Sequence, residues 1–406
     1  MVAGAANAQD VDASGEPAMT MMAGAVGAYA MTRDASGTSW QPDASPMEGL
    51  HLQSGGWTGM IHGYVNLVYD DQGGPRGGQK TFSDSMLMLM GQHALGPGRL
   101  TLRTMLSLDP LMGKDGYPLL LQTGETADGK TPLIDRQHPH DLFMELAAVY
   151  AVPISAEASA FVYAGYPGEP ALGPPAFMHR ESGMDDPAAP ITHHWLDSTH
   201  ISYGVVTGGL VRGAWKLEGS AFNGREPDQY RWNFDRFRLD SWSGRISWNP
   251  TAQWALQASY GDIKHPEQLE PTVSQHRVTA SAIYDRKLWG GDWQTTLAWG
   301  RNYDEPGRRL DAFLLESALS LGRNTVFVRA EDVQKDELFI PPSPLAGQVF
   351  RVAAFSLGYV HDVPVARHLA LGLGAVGTID ALPAAIKPAY GGSPLSGMAF
   401  VRLKLL

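Results

Sequence analysis

The chain has 406 residues, enough for one large barrel or two ordinary domains. Hydrophobic residues make up 44% of it, but no run approaches the roughly 20 apolar residues that a membrane-spanning helix needs. The net charge of −11 argues against a nucleic-acid partner. The absence of cysteine is typical of an exported protein that avoids stray disulfides.

The N-terminal residues point to export. Ala6-Asn7-Ala8 followed by Gln9 matches an A-x-A cleavage signal, so residues 1–8 are interpreted as a signal-peptide remnant. The alternative is a low-complexity Ala/Gly tail. Residues 9–55 are expected to form an N-terminal periplasmic segment. Either this segment plugs the barrel described next, or it is a disordered tail.

Short stretches of alternating apolar and polar residues recur from residue 57 to the C-terminus, which is the pattern of half-buried strands. Tight turns and long polar loops alternate between them. Residues 56–406 are therefore predicted to be an all-β, transmembrane, up-and-down antiparallel barrel with short periplasmic turns and long extracellular loops. This places the chain in the bacterial outer membrane, in contact with its lipid and lipopolysaccharide. The sixteen predicted strands are 57–69, 84–94, 99–109, 141–152, 158–167, 199–212, 214–224, 237–248, 253–264, 276–288, 292–303, 309–321, 324–334, 349–361, 367–379 and 396–406.

Histidine is concentrated in or beside the two longest extracellular loops, roughly 110–140 and 168–198. Six of the 13 histidines lie between positions 138 and 200. Imidazole and carboxylate ligands suit Zn(II) and Cu(II), so a metal site is one interpretation. The other is that these side chains hydrogen-bond the loops into a rigid cover. The candidate ligands are His138, His140, Asp141, His179, His193, His194, Asp197 and His200.

The sharpest motif is the pair His138 and His140 around Pro139. A proline biases the residue before it toward extended backbone, and residues two apart in extended chain point the same way. Both imidazoles are therefore expected to reach one ion, with Asp141 as a further ligand or as a partner of a ligand.

Methionine is concentrated near the N-terminus, with 12 of 16 in the first 112 residues. Met86, Met88 and Met90 share one face of the second predicted strand, and they face the lumen if Leu87 and Leu89 face lipid. Thioethers are soft ligands that suit Cu(I). The alternative is that these side chains fill space against an inserted segment. The same wall is predicted to carry Met60, His62 and Met105.

The layout of residues 57–406 resembles that of sixteen-strand bacterial porins, whose third outside loop folds into the lumen and narrows it. Here the third outside loop is the one at 168–198. Three stretches also resemble a little-characterised family of proteobacterial outer-membrane β-barrel proteins, often encoded near heavy-metal and particularly copper resistance genes. They are ASGTSWQP (35–42), RQHPHD (136–141) and THHWLDS (192–198). The resemblance implies a metal-related role in the cell envelope.

The sequence favours a non-enzymatic, porin-like channel that passes small solutes, or binds and passes transition-metal ions such as copper through a lumen lined by His and Met. A second hypothesis is a surface hydrolase using Ser198, His200 and Asp197, although adjacent residues on a strand do not converge as a triad does. A third is a plugged barrel with a structural or binding role. Monomer and homo-trimer are both compatible with the sequence.

Overall fold

The computed structural model describes residues 22–406, so the interpretation of residues 1–8 as a signal-peptide remnant lies outside the described residues. No helix in the described range is long and apolar enough to cross a membrane. Two one-turn helices are present there, α1 (His193–Leu196) and α2 (Lys387–Tyr390). The strands are β1 (Leu50–Ser54), β2 (Trp57–Gln72), β3 (Gly78–Leu95), β4 (Gly98–Leu106), β5 (Tyr117–Thr126), β6 (Pro132–Gln137), β7 (Phe143–Pro153), β8 (Ala158–Gly165), β9 (Val205–Arg212), β10 (Trp215–Phe222), β11 (Ser241–Trp248), β12 (Trp254–Ile263), β13 (Ser274–Leu288), β14 (Gly291–Glu305), β15 (Arg309–Leu321), β16 (Asn324–Lys335), β17 (Phe350–Ala366), β18 (Leu369–Ala381) and β19 (Leu395–Leu405).

Sixteen of these strands form one closed antiparallel barrel. Each pairs with the next along the chain, and β19 pairs with β2, where Phe400 lies opposite Val68. The strands β5 and β6 stay outside the barrel wall, so β4 pairs directly with β7. Each predicted strand overlaps one barrel strand. The predicted fold class is therefore confirmed.

Three strands were not predicted from the sequence. Strand β1 forms a hairpin with β2 and pairs with residues 57–61 of that strand. Residues 64–71 of β2 pair with β19. Strands β5 and β6 pair only with each other, inside the long connection between β4 and β7. All ten residues of β5 are buried, so both of its faces are covered and no alternation of polarity marks it.

The outer surface of the barrel is apolar. Leu87 and Leu89 are 39% and 36% exposed, whereas Met86, Met88 and Met90 between and beside them are buried. This is the orientation that the alternation predicts, and the exposed leucines suit contact with lipid. Exposed aromatic side chains lie at strand ends, as in the interfacial girdles of membrane barrels. They include Trp57, Tyr69, Trp215, Trp248, Trp254 and Trp289.

The lumen is filled by chain rather than left open to water. Inward-facing charged side chains such as Lys216, Arg245 and Arg277 are no more than 2% exposed. In a water-filled barrel such side chains would be solvated. Residues 22–49, the β5–β6 hairpin and the connection between β8 and β9 supply the atoms that cover them.

Residues 22–49 are bonded to the inner wall at the periplasmic end. The guanidinium of Arg103 donates to the carbonyl of Gly37 at 2.5 Å, and the ammonium of Lys216 donates to the carbonyl of Thr38. In the turn between β11 and β12, the amide of Asn249 donates to the carbonyl of Gln41 at 2.8 Å. The segment is therefore held by side chains of the wall.

Candidate metal centre

The third extracellular loop, residues 166–204, crosses the lumen and is bonded to the opposite wall. The N–H of Thr192 donates to Glu331 of β16 at 2.9 Å. The indole of Trp195 donates to the carbonyl of Leu310 in β15 at 3.0 Å. These contacts fix the segment that carries most of the predicted ligands.

Five histidines meet where the third loop passes the β5–β6 hairpin, and we call them the histidine cluster. His193 and His194 lie on α1, and His200 lies on the 3-10 turn that follows it. His138 and His140 come directly after β6. Neighbouring ring centroids are between 5.1 and 6.1 Å apart. The structure thus brings together five of the six histidines that the sequence singled out.

Three members of the cluster have Nδ1 held by an acceptor, and we call them the tri-histidine site. His140 Nδ1 lies 2.8 Å from Asp109 Oδ2. His193 Nδ1 lies 2.7 Å from Asp197 Oδ1, and His200 Nδ1 lies 2.8 Å from the carbonyl of Asp197. Because these acceptors cannot donate, the proton belongs on Nδ1 and the lone pair on Nε2. The Nε2 atoms of His140 and His200 are buried without a hydrogen-bond partner. Metal-ligating histidines hold their Nδ1 protons in this way, although the ring nitrogens of these three histidines do not all lie within 4.8 Å of one another.

Three of the imidazoles, those of His138, His193 and His200, have lowered pKa values. Burial, and then the neighbouring histidines, keep the pKa values of His138 and His200 well below the ordinary 6.5. Burial also lowers the pKa of His193. The ring of Phe177, 5.5 Å from that of His193, contributes to the apolar surroundings. Since a metal binds the neutral form, these side chains are ready ligands at neutral pH.

The two predicted aspartates have different partners. Asp197 accepts from His193 and also from Arg180, at 2.5 Å. Burial would raise the pKa of Asp197, but Arg180 and His193 lower it below its usual value. Asp141 instead pairs with Arg231 at 3.2 Å. A nearby cation thus engages its carboxylate, and the role of Asp141 beside an ion held by the neighbouring histidines stays a prediction.

The outer end of the histidine cluster faces acidic side chains. His138 Nε2 lies 3.2 Å from Glu125 Oε1. His194 Nδ1 lies 3.5 Å from Glu226 Oε1 and 3.9 Å from Glu267 Oε1. Within residues 22–406, His194, Glu226 and Glu267 are the one group of three such residues whose ligand atoms all lie within 4.8 Å of one another. The glutamates were missed because they lie on separate loops, and their sequence neighbours form no motif.

His179 lies apart from the cluster, in a cavity of about 80 Å³ toward the periplasmic end, which we call the methionine chamber. His179 Nε2 is 3.1 Å from Met105 Sδ, and His62 Nε2 is 3.0 Å from Met88 Sδ. The two imidazole rings are 5.8 Å apart. Burial lowers the pKa of His179 to about 3. Of the six histidines between positions 138 and 200, His179 is therefore the one that lies outside the cluster. The chamber is also lined by Met31, Met47, Met60, Met86, Met90 and Met184.

Two side chains lie between the methionine chamber and the histidine cluster. Tyr64 and Met86 line the chamber and also a smaller cavity of about 20 Å³. His138 and His140 line the other side of that smaller cavity. The cavities beside the two groups of candidate ligands therefore share Tyr64 and Met86 in their walls.

The hydrolase hypothesis receives no support from the geometry. Ser198 Oγ accepts from Arg277 at 3.0 Å, and His200 Nδ1 is bonded to the backbone carbonyl of Asp197. In the described part of the chain, no serine hydroxyl is hydrogen-bonded to a member of the histidine cluster. A serine nucleophile needs such a base within reach.

Comparison with known proteins identifies the fold. No protein-family model and no curated protein sequence matches the chain. Among solved structures, OmpF of Salmonella typhi in complex with daunomycin matches with a TM-score of 0.54 and 8% identity, covering 87% of this chain and 100% of that one. OprB of Pseudomonas putida matches with 0.51 and 9%, covering 86% and 94%. The outer membrane channel DcaP of Acinetobacter baumannii matches with 0.50 and 8%, covering 88% and 100%.

These matches confirm the predicted porin-like topology at the level of fold. They give no support to the resemblance to a family encoded near copper-resistance genes. The predicted location in the outer membrane is supported by the apolar belt and the exposed aromatic residues at the strand ends. The chain has the porin-like barrel fold of bacterial outer-membrane proteins.

Proposed function

We propose that this protein is a non-enzymatic outer-membrane transport barrel that binds a transition-metal ion, Cu(II) or Zn(II), at the tri-histidine site. The observation that carries the proposal is the pair of buried, unpartnered Nε2 atoms on His140 and His200. A buried polar atom without a partner is costly unless a ligand satisfies it. The porin-like fold supports movement of small solutes or ions across the outer membrane as the wider role.

The tri-histidine site supplies the right kind and number of ligands. Three imidazoles with a fourth position left for water or an exchangeable group are typical of open zinc sites. Asp109 and Asp197 hold the Nδ1 protons, which orients the rings and increases the basicity of Nε2. Binding would draw the three Nε2 atoms inward around the ion.

The methionine chamber supports copper as the natural ion. Thioether sulfur is a soft ligand that suits Cu(I), and imidazole binds copper as well. His62 and His179 each lie beside a methionine sulfur in the chamber. Copper ligands are therefore present in both places, and Tyr64 and Met86 line a cavity beside each of them.

We also propose that the resting barrel does not conduct and that residues 22–49 act as its plug. The support is the burial of the inner wall and the side-chain bonds from Arg103 and Asn249 to the segment. Passage then requires displacement of the third loop.

The test is calorimetric titration of the purified, refolded full chain with Cu(II) and Zn(II). We expect saturable binding with at least one site that the double variant His140→Ala, His200→Ala removes or weakens more than roughly tenfold. The control removes two other histidines, at the periplasmic end of β17 and in the turn after it: His361→Ala, His368→Ala. Absence of saturable binding, or an equal loss in the control, would contradict the proposal.

A further inference from the structure

Three extracellular connections meet at an acidic cavity beyond the outer end of the histidine cluster. Glu226 comes from the β10–β11 loop, Glu267 from the β12–β13 loop and His194 from α1 of the third loop. The cavity has a volume of about 60 Å³. We call these three residues the loop junction.

The separations at the loop junction fit ligands around an ion better than direct hydrogen bonds. His194 Nδ1 is 3.5 Å from Glu226 Oε1 and 3.9 Å from Glu267 Oε1. A charge-assisted N–H···O bond is about 2.7–2.9 Å long. Two ligands that each lie about 2.0–2.1 Å from a tetrahedral zinc ion are roughly 3.3 Å apart. The two distances from His194 Nδ1 are longer than a charge-assisted hydrogen bond and near the separation of two zinc ligands.

Buried polar atoms at the loop junction have no protein partner. Glu226 is 8% exposed, and its Oε2 has no hydrogen-bond partner. Glu267 uses Oε2 to accept the N–H of Glu125 at 3.2 Å, which leaves Oε1 directed toward His194. The N–H of Glu226 donates to the carbonyl of Pro266 at 3.1 Å, so the two loops are already in contact. The carboxylates therefore face each other without a cation between them.

Six acidic side chains line the cavity, against the two cations Arg277 and Lys335. Arg277 donates to the neutral side chains of Asn302 and Ser198, and Lys335 donates to that of Gln122. Across residues 22–406, no carboxylate oxygen lies within 4.0 Å of a charged nitrogen of Arg277 or Lys335. The acidic residues that line the cavity are Glu226, Glu267, Glu270, Asp304, Asp336 and Glu337.

We propose that His194, Glu226 and Glu267 bind a divalent cation of the borderline class, with Zn(II) as its representative, at a site separate from the tri-histidine site. One imidazole and two carboxylates form a ligand set that zinc uses. Calcium prefers six to eight oxygen ligands, so the imidazole disfavours it. The bound ion joins the β10–β11 and β12–β13 loops to α1 and holds the third loop inside the lumen.

The experiment uses the full chain with His140→Ala and His200→Ala, so that the tri-histidine site is absent. Zn(II) is titrated into this background with and without Glu226→Gln and Glu267→Gln. We expect saturable binding in the background and a loss of more than roughly tenfold in affinity on adding the two glutamine substitutions. The matched control is Glu270→Gln, which removes an exposed acid of the same cavity and should leave the affinity unchanged.

A second readout tests the joining of the loops. In the same background, Zn(II) should slow amide hydrogen exchange in residues 193–200, and this protection should vanish with Glu226→Gln. The two glutamine substitutions are also measured singly, with folding checked by the gel migration of unheated protein. If the double variant fails to fold, each single variant must still weaken binding.

Binding that survives both glutamine substitutions would overturn this proposal, as would an equal loss with Glu270→Gln. The first result would mean that the ion binds at another site. The second would mean that the ion is attracted by the total negative charge of the cavity rather than bound by specific ligands. The proposed function fails on a different result, when adding His140→Ala and His200→Ala to a chain that already carries Glu226→Gln and Glu267→Gln leaves its metal binding unchanged. The two failures are therefore distinguishable.

Discussion

The guanidinium of Arg180 donates to both carboxylate oxygens of Glu316, at 2.7 and 3.0 Å, and neither side chain is exposed to solvent. Arg180 also donates to Asp197, which accepts in turn from His193. One buried ion pair thus connects strand β15 of the barrel wall to the tri-histidine site. The third loop and the candidate ligands share this support.

Replacing Arg180 by alanine should release the third loop from the wall. Loss of Arg180 leaves the buried Glu316 with Arg329 as its charged partner, at 3.1 Å, and leaves Asp197 with His193. The lost charge-assisted hydrogen bonds therefore cost about 1.5–3 kcal/mol. We expect a lower free energy of unfolding in urea and the appearance of channel openings in planar bilayers. The control is Arg351→Ala, because the Arg351–Asp332 pair has side chains that are 66% and 37% exposed. Because such an exposed pair contributes little, that variant should leave both stability and conductance unchanged.

Gly300 of β14 should be needed for α1 to approach the wall. A Cβ at Gly300 would lie 2.3 Å from the carbonyl oxygen of Trp195, so Gly300→Ala must push the third loop away, at a cost of about 1–3 kcal/mol. We expect faster proteolysis within residues 166–204. The control Gly377→Ala, where a Cβ would have no atom within 4 Å, should be digested at the wild-type rate. Equal rates for both variants would show that this contact does not position the loop.

Asp109 should tune metal binding without contacting the ion. Asp109→Asn weakens the acceptor of the His140 Nδ1 proton, while Oδ1 can still accept the N–H of Ser85. We expect the affinity for Zn(II) to fall about 10–100-fold with little loss of stability. Isothermal titration and urea unfolding of the same sample measure the two effects. An unchanged affinity would remove His140 from the set of ligands.

The free energy of unfolding of the protein should fall in mild acid. His138 and His200 have lowered pKa values in the folded protein, so the unfolded chain takes up protons more readily as the pH falls below about 6.5. Each histidine therefore contributes stability that is complete above that pH and decreases below it, by up to about 1.4 kcal/mol per pH unit. Urea unfolding at about pH 7.5 and about pH 5 measures the slope. In the variant His200→Gln the free energy of unfolding should change less with pH than in the wild type. An equal change in both proteins would contradict the argument that burial lowers the pKa of His200.

The barrel could be predicted from the sequence because each wall strand has one face toward lipid and one toward the interior. The outward leucines and inward methionines of β3 form such a pattern. Strand β5 was missed because it is covered on both faces inside the lumen. The region at 199–204 was predicted as the start of a strand, but it forms a 3-10 turn and loop before Val205.

The candidate site was only partly predictable. The histidines of the cluster could be singled out because two short motifs, around Pro139 and around Trp195, carry four of the five. The partners Asp109, Glu226 and Glu267 could not be found, because they reach the cluster only after distant loops fold into one lumen. His179 could not be separated from the others, since only the path of the third loop places it in the methionine chamber.

X-ray absorption spectroscopy of the Zn(II)- or Cu(II)-loaded full chain tests metal binding at the tri-histidine site most directly. The sample should carry Glu226→Gln and Glu267→Gln, so that the loop junction does not contribute. We predict imidazole scattering from about three nitrogens at about 2.0–2.1 Å, which His140→Ala with His200→Ala abolishes. A spectrum with oxygen ligands alone, or one that the two alanine substitutions leave unchanged, would contradict metal binding at the tri-histidine site.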